Sequence, residues 1–395
     1  MSAEGEAIRS NDYRKDTTVK APSTRPAAVL GLDVGKSSHW ACLIDRGGEV
    51  LASAPVRNRE GALDALFSSA PAGTLVVVDQ FRNIGSLAVR RARAAGLAVA
   101  HLPGLAASRA AGLFAGEAKT DERDAEVIAR TALGVPDSLS GVPGRGEALE
   151  AARALSSQRD HVVACATRDK NRLRAVLLES CPALEAAVDL SDRRWLELLA
   201  GFGGAWGIAR SGAEGPQAEA AGEAAAASTA PPPALVEAEN RQVRFLAARI
   251  SEALDEAGAL EAETAALLEG DETYACLLTV PGIGPRTAAQ LAVSVDIARF
   301  PDHDHLASYC GIAPRVRSSG TSVRSVRASR RGDARLKSLL IFSCNSLVRS
   351  SGRYGEYYRA CRARGMGHGR ALKAVARKRL RAIYAVMRDR VPYRE

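Results

Sequence analysis

Residues 27–51 read AAVLGLDVGKSSHWACLIDRGGEVL, and this stretch decides the fold. An apolar run at Ala27–Val34, a second at His39–Asp45 and a third at Val50–Pro55 predict three successive strands, with Gly47-Gly48 turning the second into the third. Asp33 does not suit this pattern. It lies between Leu32 and Val34, inside the most apolar strand, and a buried carboxylate without a partner is costly. Either it pairs with a cation or it binds a metal.

Working outward, a helix is predicted at Arg59–Ser69. The short apolar run TLVVVDQF suits a buried parallel strand. A helix at Ile84–Ala95, a strand at LAVAHL and a helix at Lys119–Ala132 complete the unit. Three strands, helix, strand, helix, strand, helix is an α/β RNase H-like order, a mixed sheet with helices on it. Within it Asp79 ends the LVVVD strand, where α/β sheets place their sites. Asp121 and Asp124 are three residues apart and share a helix face. Paired acids on a helix are common, and Glu122 and Glu126 crowd the same one. The joint pattern of Asp33, Asp79, Asp121 and Asp124 is more specific. Neighbouring carboxylates repel, and hard oxygen donors favour Mg²⁺ or Mn²⁺. Two such ions can clamp the attacking and leaving oxygens of a phosphodiester.

Charge is distributed unevenly. Pro281–Glu395 holds 24 Lys and Arg against 7 Asp and Glu, a net of +17, while the remaining residues hold 30 against 38, a net of −8. Such asymmetry points to a nucleic-acid partner for the last third. The seven cysteines are scattered without a CxxC pair, so neither a zinc site nor a disulfide framework is indicated, which fits a reducing cytoplasm. Residues 1–25 are polar and predicted to be disordered, with no apolar core of a signal peptide. No window approaches the ~18 apolar residues that span a bilayer.

From Glu147 to Leu184 the pattern is helical. Leu155, Val162, Val163, Ala166, Leu173, Val176 and Leu177 form an apolar stripe, with Arg159, Arg168, Lys170, Arg172 and Arg174 between them. This basic face is either merely solvated or in contact with an RNA or DNA backbone. Ser211–Ala234 is low in complexity, lacks large apolar residues and reads as a flexible insertion. A second long helix is predicted at Leu235–Glu269, and the two suggest an antiparallel coiled coil of the kind that mediates dimerisation. The expected division is a tail at 1–25, an α/β domain at 26–140, a coiled coil at 145–270 with its insertion at 211–234, and a basic, mainly helical domain at 271–395.

The last domain opens with LTVPGIGPRTAAQLA, which resembles a helix-hairpin-helix turn. Gly282 and Gly284 would expose backbone N–H groups to phosphate without reading sequence. Further on, Arg315, Arg317, Arg324, Arg327, Arg330 and Arg331 surround Ser318-Ser319-Gly320. Arginine suits bidentate phosphate contact, and a serine among guanidinium groups has the chemistry to attack a phosphodiester. Most Ser-Ser-Gly triplets are simply loops. His303 and His305 read as surface residues rather than as a base.

Taken together, LGLDVGKSSHWACLID, VVVDQ, AKTDERDAEVIAR, VPGIGPRTAAQLA, FPDHDHLASYCGIAPRVRSSG and RRGDARLKSLL resemble, in that order, the DEDD-type transposases of the insertion-sequence 110 family. The resemblance runs from about Pro26 through nearly the whole chain. It implies a RuvC-like domain, a coiled coil and a transposase domain with a catalytic serine. By position, Asp33, Asp79, Asp121 and Asp124 would form the metal-binding tetrad. Ser319 would form a covalent phosphoserine link to DNA, with adjacent Ser318 as the alternative. The family recombines DNA as dimers that pair into tetramers, and some members are guided by a structured RNA. Three positions depart from its pattern: Asp79 where Glu is frequent, Asp333 in place of Asn after Gly332, and Lys337 where Arg is common.

Two other readings compete. GLDVGKS also resembles the phosphate-binding hairpin of actin-like ATPases and sugar kinases, although no second Gly-rich motif accompanies it. A non-catalytic nucleic-acid-binding protein is the third.

Overall fold

The computed structural model describes residues 26–114, 120–142, 144, 146–319, 323–328 and 332–394, with the backbone alone for 314–319 and 323–328. The tail at 1–25, Gly320, Arg330 and Arg331 lie outside the described residues. The chain divides into two compact units between residues 144 and 145.

The first unit is built on a mixed sheet. Strands β1 (Ala28–Asp33), β2 (Ser38–Asp45) and β3 (Val50–Arg57) form an antiparallel meander, followed by helix α1 (Glu60–Ser69). Strand β4 (Thr74–Val78), helix α2 (Ser86–Ala94), strand β5 (Ala98–His101), helices α3 (Gly104–Ala111) and α4 (Asp121–Gly134) and the two-residue strand β6 (Ser140–Gly141) complete it. The order across the sheet is β3-β2-β1-β4-β5-β6, with β4 parallel to both β1 and β5. β1 and β4 are covered on both faces, which is why they read as continuous apolar runs. Leu30, Leu32, Val76 and Val78 pack with Leu63 of α1 and Val89 of α2. Val29, Leu75 and Val77 face the other way, onto Ala125, Ile128 and Ala129 of α4. α4 lies against β1 so closely that a Cβ on Gly31 would fall 2.4 Å from the Ala125 carbonyl oxygen and 2.7 Å from Ala129 N.

The second unit is almost wholly helical. α5 (Glu147–Ser180) and α10 (Pro233–Leu267) pair along their length. They run antiparallel, because Arg159 meets Glu261 (2.8 Å) while Asp169 meets Arg249 (3.1 Å). At one end, α6 (Pro182–Ala187), α7 (Arg193–Phe202), α8 (Ala205–Ser211) and α9 (Pro216–Ala226) share a core with both. The segment expected to be a flexible insertion is therefore partly this packed helix. Ala218, Ala221 and Ala224 recur at threefold spacing and are buried, and their methyl groups let α9 approach its neighbours closely.

The helices α11 (Glu272–Leu278), α12 (Pro285–Ser294), α13 (His303–Tyr309), α14 (Ala334–Phe342), α15 (Asn345–Arg349), α16 (Arg353–Ala363) and α17 (His368–Asp389) form a second cluster, and between α13 and α14 in the sequence lies the antiparallel ribbon β7 (Pro314–Ser319) and β8 (Val323–Ala328). Among the described residues no helix is long and apolar enough to cross a membrane, and all seven cysteines are free thiols.

Candidate functional site

β1 and β4 end side by side, so their last residues come to one edge of the sheet. Leu32 pairs with Val78 in parallel register, which sets Asp33 beside Asp79. Both follow positions that face α4, Gly31 and Val77, by two residues, and therefore continue that face. The Val34 N–H donates to Asp79 Oδ1 at 3.2 Å and ties the two strand ends together. α4 begins at the same edge: Ala125 packs on Gly31, and Arg130 near the far end donates to the Gly48 carbonyl in the β2–β3 turn. Asp121 and Asp124 lie in its first turn, where Thr120 caps the helix by accepting from Arg123 N (3.2 Å) and the positive helix end favours acids.

The acids crowding α4 are sorted by their partners. Trp40 Nε1–H donates to Ser53 Oγ (2.9 Å), whose hydroxyl donates to Glu122 (3.3 Å). Glu126 is paired with Arg130 at 2.6 Å. Among the described residues Asp121 and Asp124 have no ion-pair partner. Burial, reinforced by the charge of Asp124, pushes the Asp79 carboxyl up from its ordinary value, while backbone N–H groups led by that of Val34 oppose the rise. His101, which the sequence did not flag, places Nε2 3.0 Å from the Asp79 carbonyl oxygen and Nδ1 3.0 Å from Ser140 Oγ. Its signal was only a strand-ending histidine beside the acid strand.

The donor set suits a hard divalent cation in kind: carboxylates gather at one edge, and one is held above its usual range by burial and, to a lesser degree, by the charge of Asp124. Among the described residues no three such groups are close enough together to hold an ion.

In the second unit, Gly282 has φ +75° and Gly284 caps α12, with Pro285 at its first position. A Cβ on Gly282 would fall 2.8 Å from both the Ser343 carbonyl oxygen and Leu347 Cγ. The turn is held from behind by Arg379 of α17, which is fully buried. Its guanidinium donates to the carbonyls of Pro281 (3.3 Å), Leu340 (3.1 Å) and Ser343 (3.0 Å) and to the Ser343 hydroxyl. This cation is spent inside the protein, and only its place in a run of basic residues hid that from the sequence.

The basic face expected on α5 is divided. Arg159 is half-buried against Asp160 (3.2 Å) and Glu261 (2.8 Å), and Arg174 pairs with Glu185 (2.7 Å). Lys170 is partly buried, while Arg168 and Arg172 are exposed. Ser318 and Ser319, expected in a loop, end strand β7 instead, because the two Val/Arg segments pair with each other. Ser319 stands opposite Val323, Ser318 opposite Arg324, and Arg315 opposite Arg327. Alternation puts positions 315, 317, 319 and 327 on one face of the ribbon and 316, 318, 324 and 326 on the other. Asp333 caps α14, accepting from the N–H groups of Arg335 (2.9 Å) and Leu336 (3.0 Å), a role Asn fills equally well. His305 sits at the exposed start of α13, its ring 2.9 Å from the capping Asp302.

Two family models of transposases match the chain. One, of DEDD transposases of the IS110 type, covers residues 30–182, and the other, of the IS116/IS110/IS902 family, covers residues 274–359. The chain belongs to the IS110 family of transposases, enzymes of DNA cleavage and strand transfer. It is 35% identical to an insertion element IS110 protein of Streptomyces coelicolor over 91% of this chain and 94% of that one. It is 31% identical to an IS900 protein of Mycobacterium paratuberculosis over 92% and 96% of the two chains. The pilin gene-inverting protein of Moraxella bovis is 35% identical over 30% of this chain and 37% of its own. Among solved structures, the chain is matched to Thermus thermophilus RuvC in complex with a Holliday junction substrate over 29% of this chain and 99% of that one, at 17% identity and a TM-score of 0.24.

Proposed function

We propose that this transposase cuts and rejoins DNA with two groups of residues, the acids Asp33, Asp79, Asp121 and Asp124 and the nucleophile Ser319. The observation that carries the reading is the meeting of Asp33 and Asp79 at one sheet edge with the first turn of α4. That edge, on a sheet whose antiparallel meander continues into parallel strands, supports an RNase H-like, RuvC-like domain. Drawn closer together than they stand here, the four carboxylates would hold Mg²⁺ or Mn²⁺. The metal would neutralise charge on a scissile phosphate and lower the barrier to its displacement.

Ser319 is favoured over Ser318 because its ribbon face also carries positions 315, 317 and 327, all arginine. Its Oγ would attack phosphorus, and the bond from phosphorus to one sugar oxygen would break. The serine proton would leave for solvent and the sugar oxygen would depart as a hydroxyl. Attack by a hydroxyl of another DNA end on the phosphoserine would reverse these changes and reseal the strand. Energy is conserved in the ester, so no separate ligase is needed. The exposed Arg168 and Arg172 and the +17 of the last third suit a nucleic-acid backbone, with a structured guide RNA as a second partner beside DNA. The paired α5 and α10 would act as a coiled coil in a dimer or tetramer; in chain order they follow a catalytic domain at 26–140 and precede the basic domain at 271–395.

The test is covalent capture. Ser319→Ala should abolish protein–DNA adducts on element-end DNA while leaving binding intact, and Ser318→Ala should retain them. Adducts that survive in Ser319→Ala would remove the nucleophile assignment. Asp33→Asn and Asp124→Asn should each lower cleavage in Mg²⁺ by at least ~100-fold. Full cleavage by both would remove the metal assignment, and no cleavage by the wild-type chain would favour a binding protein.

A further inference from the structure

The turn at Pro281–Gly284 opens onto a groove of about 700 Å³ lined by Gly282, Gly284, Arg286, Phe342, Asn345 and Arg349, among others. No acidic residue lines it. Among the described residues neither Arg286 nor Arg349 has an ion-pair partner, and both are exposed. Phe342, the last residue of α14, is 67% exposed at the border of the groove. The exposed ring and the two guanidinium groups line the same groove, so a flat stacking face and cationic donors are offered together.

The groove continues into a second cavity of about 330 Å³, which shares Arg286, Leu339 and Phe342 with it. Here the wall is mixed. Leu339 and Ala289 offer apolar surface, and Gln290 and Ser338 offer polar atoms. The acids here belong to a charge cluster: Asp160 pairs with Arg335 at 2.7 Å and Arg159 at 3.2 Å, Glu261 pairs with Arg159 at 2.8 Å, and both acids also act at longer range on the Arg286 charge. A cationic entrance, an aromatic border and a half-polar cavity together match the parts of one nucleotide. The phosphate is anionic, the base has a flat face for stacking, and its edge carries donors and acceptors. A paired base in a duplex would keep its face inside the stack and could not use the ring.

Resting on the nucleic-acid reading above, we propose that this groove receives an unpaired nucleotide, with its phosphate between Arg286 and Arg349 and its base stacked on Phe342. The paired strands on either side would run past the Gly282–Gly284 turn. The chemistry is common to DNA and RNA, and the experiment separates them.

The full chain is titrated by fluorescence anisotropy at fixed salt with three labelled duplexes of one sequence: fully paired, carrying a single bulged nucleotide, and carrying an abasic bulge. Each is made as DNA and as RNA. The bulged duplex should bind about 10-fold more tightly than the paired one, the order of one base–aromatic stack, and the abasic bulge should lose that gain. Phe342→Ala should erase the preference and Phe342→Trp should keep it. The double variant Arg286→Gln/Arg349→Gln should weaken all three duplexes and flatten the salt dependence by roughly one phosphate contact. A preference in either series supports the groove and says which polymer supplies the nucleotide.

Equal binding of bulged and abasic duplexes overturns the proposal. So does a preference that survives in Phe342→Ala, or a change of sedimentation in Phe342→Ala that assigns the ring to a second copy of the chain. Binding to none of the duplexes would instead undo the broader nucleic-acid reading. Phe342 is exposed, so folding of its variants is checked simply by an unchanged thermal melt.

Discussion

The backbone N–H of Val34 donates to the Asp79 carboxylate at 3.2 Å, so the chain leaving the first strand holds the acid that ends the fourth. This bond steadies a carboxyl that burial and Asp124 together hold above its ordinary value. A raised carboxyl binds its proton more tightly when folded. Its contribution to stability is therefore present below the unfolded carboxyl range and is lost as pH rises through the folded value.

Asp79→Asn keeps an acceptor for Val34 and removes the charge. Without divalent cations at neutral pH, the variant should melt roughly 1–3 °C above wild type, and the gap should close as pH falls through the carboxyl range. Adding Mg²⁺ should raise the wild-type melting temperature and leave the variant unchanged. Thermal melts with EDTA and with Mg²⁺ check both, and an equal response of the two proteins would count against Asp79 as a ligand.

Gly31→Val should cost about 1–3 kcal/mol, because the new side chain meets backbone of α4 rather than a flexible neighbour. The helix would have to retreat, taking Asp121 and Asp124 with it. Denaturant unfolding measures the cost. Gly61→Ala, at a helical position with open space around it, should not destabilise.

Arg379→Met should destabilise by roughly 3 kcal/mol, since three carbonyl oxygens lose their donor inside the protein. Arg379→Lys should recover part of this, as an ammonium can reach some of the same acceptors but lacks the planar fork. The melting temperatures should fall in the order wild type, Lys, Met.

Ala221→Asp should destabilise by roughly 3 kcal/mol, placing a charge in the apolar core that α9 shares with α5 and α10. The same change at exposed Ala227 should be nearly silent. Equal tolerance at both would restore the expectation of a flexible insertion.

The contrast shows what the sequence could convey. β1 to β5, α1, α2 and α4 were legible because two-residue and buried-run periodicities are strong and turns separate them. α3 was missed: GLAASRAA carries small residues whose burial depends on what lies opposite. α9 was misread for the same reason. The chemical edge formed by Asp33 and Asp79 was legible because a carboxylate in or ending an apolar strand is conspicuous. Arg379, Arg159, Phe342 and His101 were not. Whether an arginine faces water, an acid or three carbonyls is decided by partners some 36 to 102 residues away. Pairing of β7 with β8 likewise turned an apparent loop into a ribbon with two distinct faces.

The long antiparallel pair has a mechanical consequence. α5 alone, at 34 residues, is a rod of about 50 Å. Two ion pairs, Arg159 with Glu261 and Asp169 with Arg249, pin it to its neighbour at separate heights. Sliding by a single residue would swing side chains through about 100° and break both fastenings together. Evolution can lengthen or shorten such a strut only by matched steps in both helices, so its span is expected to vary among relatives in whole turns rather than in single residues.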